Sequence, residues 1–363
     1  MGAYPRRLRR WVQTLVDKEV QELVIVNRPW PRDMPLPSEL LAAATLTRLY
    51  LGFWKFPDTS ALPRGDGAAF PNLRELVLAS MDIENRDLDF LLAGSPVLEK
   101  LGIQGIDNKG NRLRLRLVGQ CLRCVQVHFS AVESIDVVDA PRLERLFLSG
   151  CWTRDGSSVR VKIGNAPQLR LLGYLEPGTH MLEIGNRVIN FAGKSVSASS
   201  MATSVKILGL HVRFGVRNDV NMLPAFLRCF PNVETLHIMS GINEETTGKL
   251  NLKFWQEAGP IESIRSRIKT MTFREFRGDP SESAFLKFIF QTAQVLKDAV
   301  IVAANGSFTS IPEVIRKVRT LTPENWGNNC SVHVFQSSGP EGGDLWCFQA
   351  GFEFSISDPF RYH

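Results

Sequence analysis

One phrase, L-x-x-L-x-L with other apolar residues substituting, recurs along the chain and restricts its possible folds more than any other feature. A proline stands two residues before five of the copies. These are Pro71 with Leu73, Leu76 and Leu78; Pro96 with Leu98, Leu101 and Ile103; Pro141 with Leu143, Leu146 and Leu148; Pro167 with Leu169, Leu172 and Tyr174; and Pro231 with Val233, Leu236 and Ile238. Copies without the proline are Val20-Leu23-Ile25, Leu46-Leu49-Leu51, Leu122-Val125-Val127, Val132-Ile135-Val137 and Val205-Leu208-Leu210. From 20 to 46, 73, 98 and 122 the steps are 26, 27, 25 and 24 residues, and 143 to 169 is again 26. The steps 122 to 132 and 132 to 143 are only 10 and 11 residues, too short to hold a helix, so those units are expected to be strand and turn alone.

The last two apolar residues of each phrase alternate with their neighbours at the period of a strand, and the first sits on the turn that enters it. All three point inward and stack on their counterparts in the next unit, because no single unit can bury its own apolar face. The proline ends whatever helix precedes it. Arg86 to Leu92 reads as such a short helix, stopped at Ser95-Pro96. The expected fold is α/β: an irregular leucine-rich-repeat solenoid over residues 1–245, with a parallel sheet lining the concave face.

Residues flanking the inward leucines are then expected on that concave face: Arg48, Tyr50, Glu75, Val77, Lys100, Arg145, Phe147, Leu171, Thr235 and His237. Aromatic and charged side chains mixed in this way suit the hot spots of a protein interface. They are equally compatible with side chains that pack on one another or lie under a loop.

After about residue 245 the phrase fades. Ile268-Met271-Phe273 keeps the spacing, and Thr272 to Phe276 reads as a strand. Asp279-Pro280-Ser281-Glu282 has an N-cap, a proline at the first helical position and an acid in the first turn. Phe285, Phe288, Ile289 and Leu296 are the expected buried stripe, and Ala299 to Val302 the following strand. This strand–helix–strand section, residues 246–303, closes the array, which would otherwise expose its core. Residues 304–363 read as a helix, Ile311 to Val318, and two aromatic-rich strands, Val332 to Phe335 and Trp346 to Phe354.

Composition narrows the function. With 43 basic and 37 acidic residues the net charge is +6, and the excess is dispersed except at Arg6, Arg7, Arg9 and Arg10. That cluster reads either as an import signal or as a solvated helix face leading into Trp11, Val12 and Leu15. No aromatic-and-basic signature points to nucleic acid. The N-terminal residues have no signal-peptide character, and no apolar run is long enough to span a bilayer, so a cytoplasmic or nuclear protein without membrane contact is expected. Cys121-Leu122-Arg123-Cys124 has the spacing of half a zinc site but no second pair, and Leu122 is itself a repeat position. The six histidines fall in no metalloprotease pattern, and no G-x-S-x-G elbow occurs. The chain is expected to have no catalytic residues, metal or cofactor.

Several segments together resemble a known family. Trp11 to Asn27, with Val20-Gln21-Glu22-Leu23, resembles the first unit that follows the F-box in plant F-box proteins with leucine-rich repeats. Val138-Asp139-Ala140-Pro141-Arg142-Leu143-Glu144 is similar to their D-A-P-x-L-E repeat. The section from Phe254 to Val302 is similar to their C-terminal FBD domain, through Phe273, Phe276-Arg277-Gly278 and the Glu282-Phe285-Leu286-Phe288 helix. The resemblance implies the substrate-recognition part of an SCF-type ubiquitin ligase, whose repeats hold the target protein while the F-box docks on the ligase adaptor. Ten residues precede Trp11, where the family places its F-box, and Leu36-Pro37-Ser38-Glu39-Leu40-Leu41 imitates an F-box opening but runs straight into the repeat strand at Leu46 to Leu51. Adaptor binding is therefore expected only if the full-length protein contains an F-box. The alternative is an F-box-less repeat scaffold or competitor that binds a partner without ligase contact.

Overall fold

The computed structural model describes residues 3–28, 34–60, 69–107, 112–185, 187–189, 201–242, 248, 251–323, 330–337 and 346–361. Internal contacts divide the chain into two units, Met1–Leu169 and Arg170–His363.

The first unit opens with helix α1 (Ala3–Asp17). Leu8 and Val12 are its buried face, while Arg6, Arg7, Arg9 and Arg10 are exposed and Arg9 pairs with Glu39 at 2.9 Å. The basic cluster thus lies on a solvent-facing side of the helix. Trp11, just beyond the cluster, is exposed as well. Strands β1 (Glu22–Val26), β2 (Arg48–Gly52) and β3 (Glu75–Ala79) follow, then α2 (Asn85–Ala93) and β4 (Lys100–Gln104), β5 (Leu113–Val118), β6 (Cys124–His128), β7 (Val132–Asp139), β8 (Arg145–Ser149) and β9 (Val159–Asn165).

Strands β1, β2, β3, β4, β6 and β8 form one parallel ladder in that order. The register puts Leu49, Leu76, Leu101, Val125 and Leu146 side by side, and Leu51, Leu78, Ile103, Val127 and Leu148 beside them. All ten are buried. The spacing of the phrase is enforced by main-chain hydrogen bonds. Two successive N–H groups at the strand entrance donate to one carbonyl in the preceding repeat: Arg74 and Glu75 to Thr47 (2.8 and 3.1 Å), Glu99 and Lys100 to Arg74 (2.8 and 2.9 Å), and Arg123 and Cys124 to Glu99 (2.8 and 3.0 Å).

Glu144 and Arg145 continue this series to the carbonyl of Arg123, at 2.9 and 3.1 Å. The repeat step therefore runs from 122 to 143, and Val132-Ile135-Val137 is not a rung of the main ladder. It belongs to β7, which pairs with β5 and β9 in a second parallel ladder. The two short steps are one repeat in which a strand replaces the helix. The physical cause is the alternation Leu113-Arg114-Leu115-Arg116-Leu117 and Val159-Arg160-Val161-Lys162-Ile163, whose apolar residues are buried while the intervening basic residues are not.

Five of the six strands of the main ladder, β2, β3, β4, β6 and β8, are followed at once by a residue with left-handed backbone: Phe53 (φ 63°), Ser80 (49°), Gly105 (62°), Phe129 (44°) and Gly150 (54°). The N–H of each of the first four donates to the last carbonyl of the next strand, at 2.7 to 2.9 Å.

The second unit contains β10 (Leu171–Leu175), the antiparallel pair β11 (His180–Ile184) and β12 (Arg187–Ile189), β13 (Ile207–Val212), α3 (Arg217–Arg228) and β14 (Thr235–Ser240). Next come α4 (Leu252–Glu257), α5 (Glu262–Ser266), β15 (Thr270–Phe276), α6 (Pro280–Thr292), β16 (Asp298–Ala303), α7 (Ile311–Arg319), β17 (Ser331–Gln336) and α8 (Phe348–Phe352), with a 3-10 turn at Pro359–Arg361. Strands β10, β13, β14, β15, β16 and β17 form a parallel ladder in that order. The strand–helix–strand expectation is met by β15, α6 and β16. Asp279 and Glu282 form the reciprocal capping box of α6, with Pro280 at its start. Trp255 packs its ring on Phe285 and Phe288, with centroids 5.0 and 5.4 Å apart.

Two sequence expectations are corrected in this unit. Trp346 to Phe354 is not a strand; it contains the one-turn helix α8. The register between β10 and β13 also shifts between Leu172 and Leu175, so Leu175 pairs with Leu210 and Tyr174 does not take the interior position. A Cβ on Gly209 would lie 3.2 Å from the Tyr174 ring, so Tyr174 lies against the Gly209 backbone of the neighbouring strand, which needs a residue without a side chain there.

Candidate partner-binding face

The ten residues expected on the strand face divide into one cluster and several buried positions. The register aligns Arg48, Glu75 and Lys100 on β2, β3 and β4, with Tyr50 two residues along β2. Glu75 is the centre. The Tyr50 hydroxyl donates to Glu75 Oε1, Lys100 Nζ donates to Oε2 at 3.2 Å, and Arg48 Nε lies 3.7 Å from Oε1. Arg48 also pairs with Glu22 at 2.9 Å. Burial of the Tyr50 ring, together with the carboxylate it serves, raises its phenol well above the usual range. Cations on both sides and a hydroxyl compensate the buried Glu75 carboxylate, which alone would be costly to desolvate. Arg48 is exposed, and Tyr50 and Lys100 are half-buried, so the outer edges of the cluster are open.

Exposure falls along the ladder. On β1 the outward Val24 and Val26 are exposed, whereas Val77 on β3 and Arg145 and Phe147 on β8 are buried, Phe147 completely. Cys124 on β6, between Lys100 and Arg145 in the register, is also fully buried, and burial pushes its thiol far up. The C-x-x-C spacing is thus a strand residue and a turn residue. Among the described residues no group of three or more His, Cys, Asp or Glu is arranged to hold a metal ion, and no helix is long and apolar enough to cross a membrane.

In the second unit Leu171 and His237 are buried and Thr235 is half-buried. His237 Nε2 lies 3.0 Å from Asp358 Oδ2, and its ring is 5.3 Å from that of Phe360. Phe360 also meets Tyr174 edge-on at 4.7 Å and Trp346 at 6.2 Å. Burial works against the Asp358 carboxylate, yet the hydrogen bond and charge of His237 hold it below the usual carboxylate range. The expectation of an open surface is therefore corrected at Glu75, Val77, Arg145, Phe147, Leu171 and His237. At His237 the covering side chains, Asp358 and Phe360, come from distant sequence and leave no mark on the local pattern of the strand. Tyr174, Asp358 and Phe360 were missed for the same reason. The only local signal was the turn-forming Asp358-Pro359 pair.

The repeats and the strand–helix–strand section each match a protein-family model. The model described as FBD-associated F-box protein At5g56370, LRR repeats, matches residues 8–238. The chain belongs to this family. A second model, FBD, matches residues 256–301. F-box/LRR-repeat protein At3g58940 of Arabidopsis thaliana is 21% identical over 369 aligned positions, covering 94% of this chain and 57% of that protein. Putative F-box protein At3g58860 of the same plant is 21% identical, covering 92% and 76%. FBD-associated F-box protein At4g13985 is 29% identical over 146 positions, covering 38% of this chain and 30% of its own length. The chain thus spans about a third of At4g13985 and a little over half of At3g58940. The family is one of repeat and FBD modules, and the names of these relatives describe no enzyme.

Proposed function

We propose that this F-box/LRR-family chain is a protein-binding module that recognises the target of an SCF-type ubiquitin ligase, acting in the cytoplasm or nucleus. The observation that carries the reading is the Arg48–Tyr50–Glu75–Lys100 cluster. It is a prearranged set of charged and aromatic groups whose open edges sit on rigid parallel strands, beside exposed Val24 and Val26. Rigid strands hold such groups at little entropic cost on binding. Thr235 is the remaining partly exposed member of the set. Contact with the ligase adaptor is proposed for the full-length protein only where an F-box accompanies the repeats; the names of the relatives mention an F-box in each of them.

The test is quantitative affinity purification from plant extract with the parent chain and an Arg48→Ala, Tyr50→Ala, Lys100→Ala variant. A prey depleted at least about tenfold by the variant, with unchanged thermal melting, identifies a partner of this face. Equal recovery of every prey moves the binding site elsewhere. Adaptor and cullin among the preys of the full-length protein support the ligase role; a partner recovered without them supports the scaffold alternative.

A further inference from the structure

Part of the second unit's strand face is occupied by the chain itself. Tyr174, Gly209 and His237 stand on adjacent strands β10, β13 and β14. Gly209 gives the Tyr174 ring a flat backbone to lie against. The result is a floor with one aromatic wall and one imidazole, both fully buried, with Phe360 against both and Asp358 bonded to the imidazole.

What lies on that floor has the form of a bound peptide. Asp358 reaches 121 residues back along the chain to His237. Its other carboxylate oxygen accepts the N–H of Phe360 at 3.2 Å, and the Asp358 carbonyl accepts the N–H of Arg361 at 3.3 Å. These bonds close a tight turn with Pro359 at its head, which presents the carboxylate and the Phe360 ring on one side. The ring enters between Tyr174 and His237. The segment adds no strand to the ladder. Its order comes from α8, the 3-10 turn and local bonds such as Gly351 N–H to Cys347 O at 2.9 Å and Glu353 N–H to Ala350 O at 3.2 Å. Side chains two residues apart, a carboxylate and a phenyl ring, supply the recognition.

We propose that the Tyr174–Gly209–His237 floor is a docking site for a peptide carrying aspartate two residues before phenylalanine, and that Asp358-Pro359-Phe360 is its built-in occupant, displaced by a partner segment of the same chemistry. The inference rests on the protein-binding reading of the strand face and assigns it a ligand class. A tethered occupant competes at an effective concentration of about millimolar, so only a well-matched or multivalent partner replaces it. The site is thereby closed to weak apolar contacts.

The experiment uses a fluorescent peptide spanning Ser355–Arg361 and reads anisotropy with two full-length chains, the parent and an Asp358→Ala, Phe360→Ala variant. Saturable binding to the vacated variant at least about tenfold tighter than to the parent is expected, with loss when the peptide carries Asp358→Ala or the receptor also carries His237→Ala. Equal binding to both chains, or binding indifferent to His237, overturns the proposal. If the vacated variant does not fold, native-state hydrogen exchange of the parent decides. Phe360 and Gly351 amides are expected to exchange through an opening that leaves Leu236 and Ile238 protected. Exchange of all four in one event makes the segment core and overturns the proposal. Neither readout involves Arg48 or Lys100, so failure here leaves the first-unit face standing, and failure there leaves this site standing.

Discussion

The Ser240 hydroxyl donates to Glu282 Oε1 at 2.5 Å, joining the end of β14 to the first turn of α6. Oε2 of the same carboxylate accepts the N–H groups of Arg277 and Asp279, at 2.9 and 3.0 Å. Burial outweighs these bonds and pushes the Glu282 carboxyl from 4.5 up to about 7. The folded state therefore holds a proton that the unfolded state has lost between those two values. Over that window stability falls as pH rises, with a limiting slope of about 1.4 kcal/mol per pH unit from this group. Glu282→Gln can keep every bond: its oxygen accepts both N–H groups, and its amide donates to Ser240 Oγ. Urea denaturation from pH 4.5 to 8 is expected to show the variant gaining on the parent as pH rises. A difference independent of pH would mean that Glu282 titrates normally.

Phe147 is completely buried, so it serves as a probe of stability and not of binding. Phe147→Ala is expected to cost about 3–5 kcal/mol in chemical unfolding, and Leu146→Ala, one residue away on the inward side of β8, about 2–5 kcal/mol. A loss below about 1 kcal/mol at Phe147 would place it on an open surface.

The parallel ladder and the β15–α6–β16 section were legible because their causes are local. Leu76, Leu101 and Leu146 lie in each other's register because they occupy the same place in the phrase. Asp279-Pro280-Ser281-Glu282 caps a helix through bonds that span three residues. The second ladder was not read: the spacing of Val132-Ile135-Val137 imitates a rung so closely that period alone assigns β7 to the wrong sheet. The binding face was only half legible. Arg48, Glu75 and Lys100 gather on one line because strand register puts them there. Burial of His237 depends on Asp358 and Phe360, and Tyr174 changes side because of a one-position shift in register, neither of which has a local signature.

Opposite charges sit beside one another where the rungs begin. Glu234 takes Lys206 Nζ at 3.1 Å from the preceding rung and Lys269 Nζ at 2.7 Å from the following one. The hydrogen bond from Lys269, then that from Lys206, holds its carboxyl below the usual range. Its contribution is therefore present above pH 4.5 and lost as pH falls through the lower folded value. Because the group is largely exposed, Glu234→Gln is expected to cost only about 0.2–1 kcal/mol. Glu234→Lys stacks three cations on successive rungs and should lower the melting temperature further at 10 mM salt than at 500 mM, since salt screens exposed charges over about 30 Å in the first case and a few Å in the second. A penalty unaffected by salt would trace to packing.

Ser80 and Gly105 occupy equivalent corners of adjacent rungs, both with left-handed backbone. For a residue with a Cβ that conformation costs roughly 1–2 kcal/mol, while glycine adds about 0.5–1 kcal/mol of unfolded-state entropy. Ser80→Gly is therefore expected to stabilise by up to about 1 kcal/mol. Gly105→Ala brings the backbone penalty and sets its Cβ 2.9 Å from Ser80 Oγ. It should destabilise by about 1–2 kcal/mol or more. The contact makes the two changes non-additive: with glycine at 80 the hydroxyl is gone, and Gly105→Ala should cost less than it does alone. A double-mutant cycle in urea measures this coupling. Strict additivity would mean that the Ser80 side chain swings clear, leaving the backbone strain at each corner as the whole effect.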